Sequence, residues 1–218
     1  MPVITLSRQF GAGGAAVGQL LARRFDADYL DREVVFEAAR RAGIPATIAD
    51  ELDERTPGWV TRLGMALTAA YPEVIVPDMA GEAAASGYED RLAAFTGEVI
   101  AEAAGRPNAI IVGRGAAFIL RGRPAVLHVQ LEASLEARVR YCRMQVEETG
   151  GQDLPDDAAV ARLCTSVDRA RGAYLRRHFG VDWRDRAHYH LVLDTGRLGL
   201  ETAAELVAVA ARRLAGEA

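Results

Sequence analysis

One stretch near the N-terminus, Val3-Ile4-Thr5-Leu6-Ser7-Arg8-Gln9-Phe10-Gly11-Ala12-Gly13-Gly14-Ala15-Ala16-Val17-Gly18, constrains the fold of this chain more than any other. Val3 to Leu6 is a short apolar run with β-branched residues, the pattern of a fully buried strand. Gly11, Gly13 and Gly14 then supply the backbone freedom that lets main-chain N–H groups curl around an anion. From Gly14 onward Ala15, Ala16, Val17, Leu20, Leu21 and Ala22 have helical spacing, so the loop delivers whatever it holds to a helix N-terminus. The strand-loop-helix reads as a phosphate site. The competing reading is a Gly-rich strand-to-helix turn with no ligand.

Two kinds of phosphate loop fit such a stretch. In the dinucleotide fingerprint the first Gly follows the strand almost at once, and Gly11, Gly13 and Ala16 can be read that way, with Asp26, Asp28 or Asp31 as the downstream acid. Here Ser7, Arg8, Gln9 and Phe10 intervene between strand and glycine, which favours the longer P-loop. Against the full P-loop pattern the match is degenerate: Arg8 stands at the first Gly, Gly14 at the Lys, and Ala15-Ala16 where a hydroxyl would meet a metal ion.

That missing Lys belongs to a wider pattern, because all 26 basic residues are Arg and Lys is absent from the chain. An Arg cluster therefore means less here than elsewhere, and any bound phosphate must be met by the planar guanidinium fork. At 218 residues, half of them apolar, the chain is long enough for one large core with a helical insertion. A net charge of -4 argues against nucleic acid as a partner. No apolar run reaches the length of a membrane span, and no basic-then-apolar leader opens the sequence, so a cytoplasmic protein is expected. Cys142 and Cys164 lack metal or redox spacing and read as core thiols of a reducing compartment.

Further along, Tyr29-Leu30 forms a short apolar step ending at Asp31, and helical spacing resumes from Arg32 to Ala42. Asp31 reads either as an N-cap or as a ligand group at the carboxyl end of a second strand. Residues 46–106 are punctuated by Pro and Gly and read as a helical insertion ending in a helix from about Tyr88 to Ala104. Trp59 and Tyr71 within it could stack on a base, though core positions suit them better. Ala109 to Val112 is a buried strand running into Gly113-Arg114-Gly115, which sets a guanidinium at a strand's carboxyl end. Ala125 to Val129 is the next, with His128 as an interior histidine, followed by Ser134 as N-cap of a helix carrying Arg138.

Gly150 and Gly151 precede a long helix, about Ala158 to Phe179, with Arg162, Arg169 and Arg176 in one stripe and Asp168 and Arg171 three apart. This matches either solvated surface or a mobile flap over phosphates, a lid region spanning 149–180. Strands near 3–6, 28–30, 109–112, 125–130 and 189–193, separated by helices, predict an α/β fold: one domain over 1–218, a five-stranded parallel sheet with helices on both faces.

Taken together, Ile4 to Gly14, Tyr29-Leu30-Asp31-Arg32-Glu33, Val112-Gly113-Arg114-Gly115-Ala116, Asp168-Arg169-Ala170-Arg171-Gly172-Ala173-Tyr174 and Asp182-Trp183 resemble the cytidylate kinase-like family from end to end. The resemblance implies a P-loop nucleoside monophosphate kinase fold, with 46–106 as the monophosphate-binding insertion and an Arg-bearing lid. It implies transfer of the ATP γ-phosphate to CMP or dCMP with Mg²⁺. By that resemblance Gly11, Ala12, Gly13 and Gly14, flanked by Ser7 and Ala15, would bind ATP phosphates, and Asp31 and Arg114 would lie at the acceptor monophosphate. Arg138 matches the arginine of the family's A-S-x-E-x-R helix and would approach the phosphates. Asp168 and Arg171 match the D-x-x-R that meets the cytidine in true cytidylate kinases. Arg8, Arg138 and Arg171 are then the candidates for transition-state charge.

The chain departs from true cytidylate kinases at Gly14-Ala15-Ala16 and at Val112, where they carry Asp. The rival expectation is therefore a nucleotide-binding regulatory or interaction protein that keeps the fold and has lost efficient transfer. A dinucleotide-dependent oxidoreductase ranks third. Nucleotides are the expected partners, a homo-oligomer is compatible with the sequence, and no residue is singled out as a metal ligand.

Overall fold

The computed structural model describes residues 3–31, 34, 41, 88–106, 108–148 and 156–216. Five strands form one sheet: β1 (Val3–Arg8), β2 (Asp28–Leu30), β3 (Ala109–Val112), β4 (Val126–Glu132) and β5 (Leu191–Asp194). Their order is β2-β3-β1-β4-β5, and every neighbouring pair is parallel. Parallel strands buried on both faces read as continuous apolar runs, which is why the strand pattern is visible in the sequence.

Helices cover both faces. On one, Ile4 and Leu6 of β1 with Leu127, Val129 and Leu131 of β4 pack against Val17 and Leu21 of α1 (Gly14–Phe25). The same core takes Ala204, Val207 and Ala211 of the last helix, which is labelled below. On the other face Val3, Ile111 and Val126 meet Val99 and Ile100 of α2 (Tyr88–Ala103) and Ala116 of the short α3 (Ala116–Ile119). A third core joins α4 (Leu135–Glu148) to α5 (Asp157–Phe179) through Val139, Cys142, Val146, Val160, Cys164 and Val167, with Phe10 at its centre. Two helices close the chain, α6 (Thr195–Leu198) and α7 (Leu200–Leu214).

Two expectations change. First, β1 runs on to Arg8, which pairs with Leu131 of β4, and the Gln9 N–H donates to the Leu131 carbonyl at 3.0 Å. Only Gln9 and Phe10 then separate strand from Gly11, so spacing does not distinguish a P-loop from a dinucleotide loop. Strand order does: the dinucleotide fold sets its first two strands side by side, whereas here β3 lies between β1 and β2. Secondly, α5 has a packed face that the sequence reading did not give it. Val160, Cys164 and Val167 bury one face of it in the third core, while Arg162, Arg169 and Arg176 form a solvated stripe on the other. The Gly-rich segment before it, and the insertion from 46 to 87 with Trp59 and Tyr71, lie outside the described residues.

Candidate functional site

The loop between β1 and α1 is held by its flanks. Gly11 and Gly13 adopt left-handed φ angles of 79° and 71°, which only glycine enters without strain. The Ala12 N–H donates to the Gln9 carbonyl, and the Thr195 hydroxyl donates to the Ala12 carbonyl at 2.9 Å. Helix α1 opens on Gly13 with no side-chain cap and no acidic residue in its first turn. Its first N–H groups, those of Gly14, Ala15 and Ala16, have no intrahelical acceptor by helix geometry and carry the positive end of the helix dipole. Helix N-termini with free main-chain donors are common anion sites in proteins.

Arg8 lies across the start of that helix. A Cβ on Gly14 would sit 2.7 Å from Arg8 Cγ and 3.1 Å from its Cβ and Cδ, so the arginine stem occupies the space a side chain at position 14 would need. The Arg8 side chain is 1% exposed, and its Nη2 reaches Asp31 Oδ1 at 3.4 Å. Asp31 Oδ2 accepts from the Tyr29 hydroxyl at 3.1 Å. Two residues predicted for different roles, one in the loop and one at the acceptor, are thus brought together as a buried ion pair.

Arg138 and Asp168 form a second such pair, with Nη1 to Oδ2 at 2.7 Å. Asp168 Oδ1 also accepts from the Phe10 N–H at 2.8 Å, and Arg138 Nη1 donates to the Phe10 carbonyl at 3.2 Å. Arg171 donates to the Arg8 carbonyl and lies 3.7 Å from Asp168 Oδ1. Its guanidinium stands 5.7 Å from the ring centroid of Trp183, a cation–π distance. Trp183 is buried, and its carbonyl accepts from the Tyr189 hydroxyl at 2.8 Å. Burial pushes that phenol up to about 12, with a hydrogen bond to Ser7 opposing the shift.

Arg114 lies half-buried at the carboxyl end of β3 with φ 55°, between Gly113 and Gly115, both also left-handed. A non-glycine residue there carries backbone strain. The turn is anchored by the Gly113 N–H on the Leu6 carbonyl at 2.9 Å, and Gly115 abuts Phe179 and Leu175 at the end of α5. His128 is an interior histidine: Nδ1 lies 2.8 Å from Thr5 Oγ1, its ring stacks on His190, and burial lowers it to about 4, with His190 adding to the shift. Cys142 and Cys164 are buried and hydrogen-bonded to each other, which with burial pushes the Cys142 thiol up.

A magnesium ion held by the protein does not fit these residues. Position 15 is Ala, Asp31 is engaged by Arg8 and Tyr29, and among the described residues no cluster of three His, Cys, Asp or Glu side chains could hold a metal. Among the described residues no helix is long and apolar enough to cross a membrane.

Sequence reasoning missed the parts played by Trp183, Thr195 and Tyr29. Each acts on a partner by a contact that a one-dimensional pattern does not contain, although Asp182-Trp183 did stand among the blocks of resemblance.

A family model described as the cytidylate kinase-like family matches residues 3–197. No curated protein sequence matches the chain. Among solved structures, an uncharacterised protein from Eubacterium ventriosum superposes with a TM-score of 0.63 at 17% identity, covering 97% of this chain and 98% of that one. Shikimate kinase from Bacteroides thetaiotaomicron superposes with a TM-score of 0.51 at 15% identity, covering 96% and 97%.

Proposed function

The chain belongs to the cytidylate kinase-like family and has the α/β fold of P-loop kinases, and from that premise we propose that it is a nucleoside monophosphate kinase passing the ATP γ-phosphate to CMP or dCMP. One observation carries the reading: an uncapped helix N-terminus behind a loop with two left-handed glycines, at the carboxyl edge of a parallel sheet. Anions bind at such a place without any lysine, because the donors are main-chain groups.

Transfer of a phosphoryl group needs positioning and charge stabilisation more than covalent chemistry. In this reading Gly11 to Ala15 bind the donor phosphates, and Arg8, Arg138 and Arg171 surround the loop with positive charge. Asp31 and Arg114, at the ends of β2 and β3, face the acceptor. Mg²⁺, if it takes part, would arrive on the nucleotide, which it holds by phosphate and water ligands. No step is assigned to it.

A second reading is a nucleotide-binding regulatory protein with little transfer. The observation favouring it is Gly14-Ala15-Ala16 together with the burial of Arg8 against Asp31. A coupled assay across the monophosphates, run beside ATP calorimetry, separates the two. The kinase reading expects turnover on CMP or dCMP, and Arg8→Lys should retain ATP binding while losing most turnover, since the charge stays and the fork is lost. Nucleotide binding without transfer to any monophosphate leaves the regulatory reading standing alone.

A further inference from the structure

We infer that Asp168 and Arg171, with Arg138, are positioning residues of the donor-phosphate loop and not readers of the acceptor base. The inference deepens the reading above and rests on it, in that the loop is taken as a polyphosphate site.

The backbone of the loop entrance is gripped from behind at three points. Arg171 holds the Arg8 carbonyl, Asp168 the Phe10 N–H, and Arg138 the Phe10 carbonyl. Asp168 is 3% exposed with one oxygen on Phe10 and the other on Arg138, so a base could reach it only by breaking two short charge-assisted hydrogen bonds. Buried ion pairs add little net stability, and their better-attested role is to fix one arrangement. What they fix here is the residue that precedes Gly11, hence the direction in which the following N–H groups point.

Arg171 is itself held in place. Trp183 forms a shelf beneath its guanidinium, and Gly172 leaves the room this requires, since a Cβ there would meet Trp183 Nε1 at 3.0 Å.

The test is Asp168→Asn, which keeps the shape and removes the charge, with inorganic tripolyphosphate as the probe for calorimetry on the full chain. The expected result is tripolyphosphate binding weakened about tenfold or more. The Phe10 amide should also exchange with solvent faster while amides of β4 keep their protection. The preference among monophosphate acceptors should not change. Undiminished tripolyphosphate affinity in the variant, or a shifted acceptor preference with normal Phe10 exchange, overturns the inference and leaves the loop reading intact. A wild type that does not bind tripolyphosphate overturns the loop reading and this inference with it. Should Asp168→Asn fail to fold, Arg171→Met, from a less buried position, removes the grip on Arg8 together with the contact to Asp168, and tripolyphosphate affinity and acceptor preference decide in the same way.

Discussion

The two buried ion pairs beside the loop contain the same chemistry and are built differently. Arg138 and Asp168 meet at 2.7 Å, from two helices that already share a hydrophobic core, and both hold the Phe10 backbone. Arg8 and Asp31 meet at 3.4 Å, from the ends of two strands that never touch because β3 lies between them. In the first pair the packing of α4 on α5 over-determines the geometry. In the second, the Tyr29 hydroxyl on Asp31 and the packing of the Arg8 stem over Gly14 set it. If the loop takes a phosphate, the longer contact is the one expected to exchange its partner and the tighter one to hold the backbone.

The largest expected effect comes from removing one member of the tight pair. Asp168→Ala leaves Arg138 buried without its counter-ion and should destabilise the fold by about 3–5 kcal/mol in chemical denaturation. Asp31→Ala should be milder, about 1–3 kcal/mol, because the contact is longer and Arg8 can turn toward the loop. It should leave tripolyphosphate binding as strong as before or stronger. Equal losses of stability in the two variants would break the comparison.

Arg114 sharpens it from the acceptor side. Arg114→Gly relieves a left-handed backbone and should gain up to about 1 kcal/mol in thermal stability. The same change should raise the acceptor constant about tenfold or more, by loss of a charge-assisted phosphate contact, and spare ATP binding. A variant that loses both ligands equally removes Arg114 from the acceptor role.

A further effect concerns pH and lies outside both pairs. His128 titrates at about 4 in the fold against 6.5 ordinarily. Between those values the unfolded chain binds the proton and the folded chain does not, so stability falls as pH drops through that window. His128→Gln should flatten the slope of melting stability between pH 6.5 and 4, by about 2–3 kcal/mol at most. If the slope persists, the acid sensitivity comes from other groups.

The sheet was legible because Val3 to Leu6, Ala109 to Val112 and Ala125 to Val129 are apolar runs, as parallel strands buried on both faces must be. The end of β1 was not, since Ser7 and Arg8 are polar and the ladder continues through their backbone. The helix through Asp168 was read as solvated surface or as a flap because its arginine stripe is conspicuous, while the buried Val160, Cys164 and Val167 are a modest signal of the usual spacing. Asp31, Arg138 and Asp168 were singled out in the sequence, but the pairing of Arg138 with Asp168 was not. Phe10 and Asp168 are 158 positions apart, and no periodicity joins residues at that distance.

The arginine stem lying where a side chain at position 14 would go has a consequence for how such a loop can change by mutation. Positions 8 and 14 share one volume, so a larger residue at 14 calls for a smaller one at 8. A chain that acquires Lys at 14 alone should crowd its own loop, and the double change Arg8→Gly with Gly14→Lys should cost less stability than Gly14→Lys by itself.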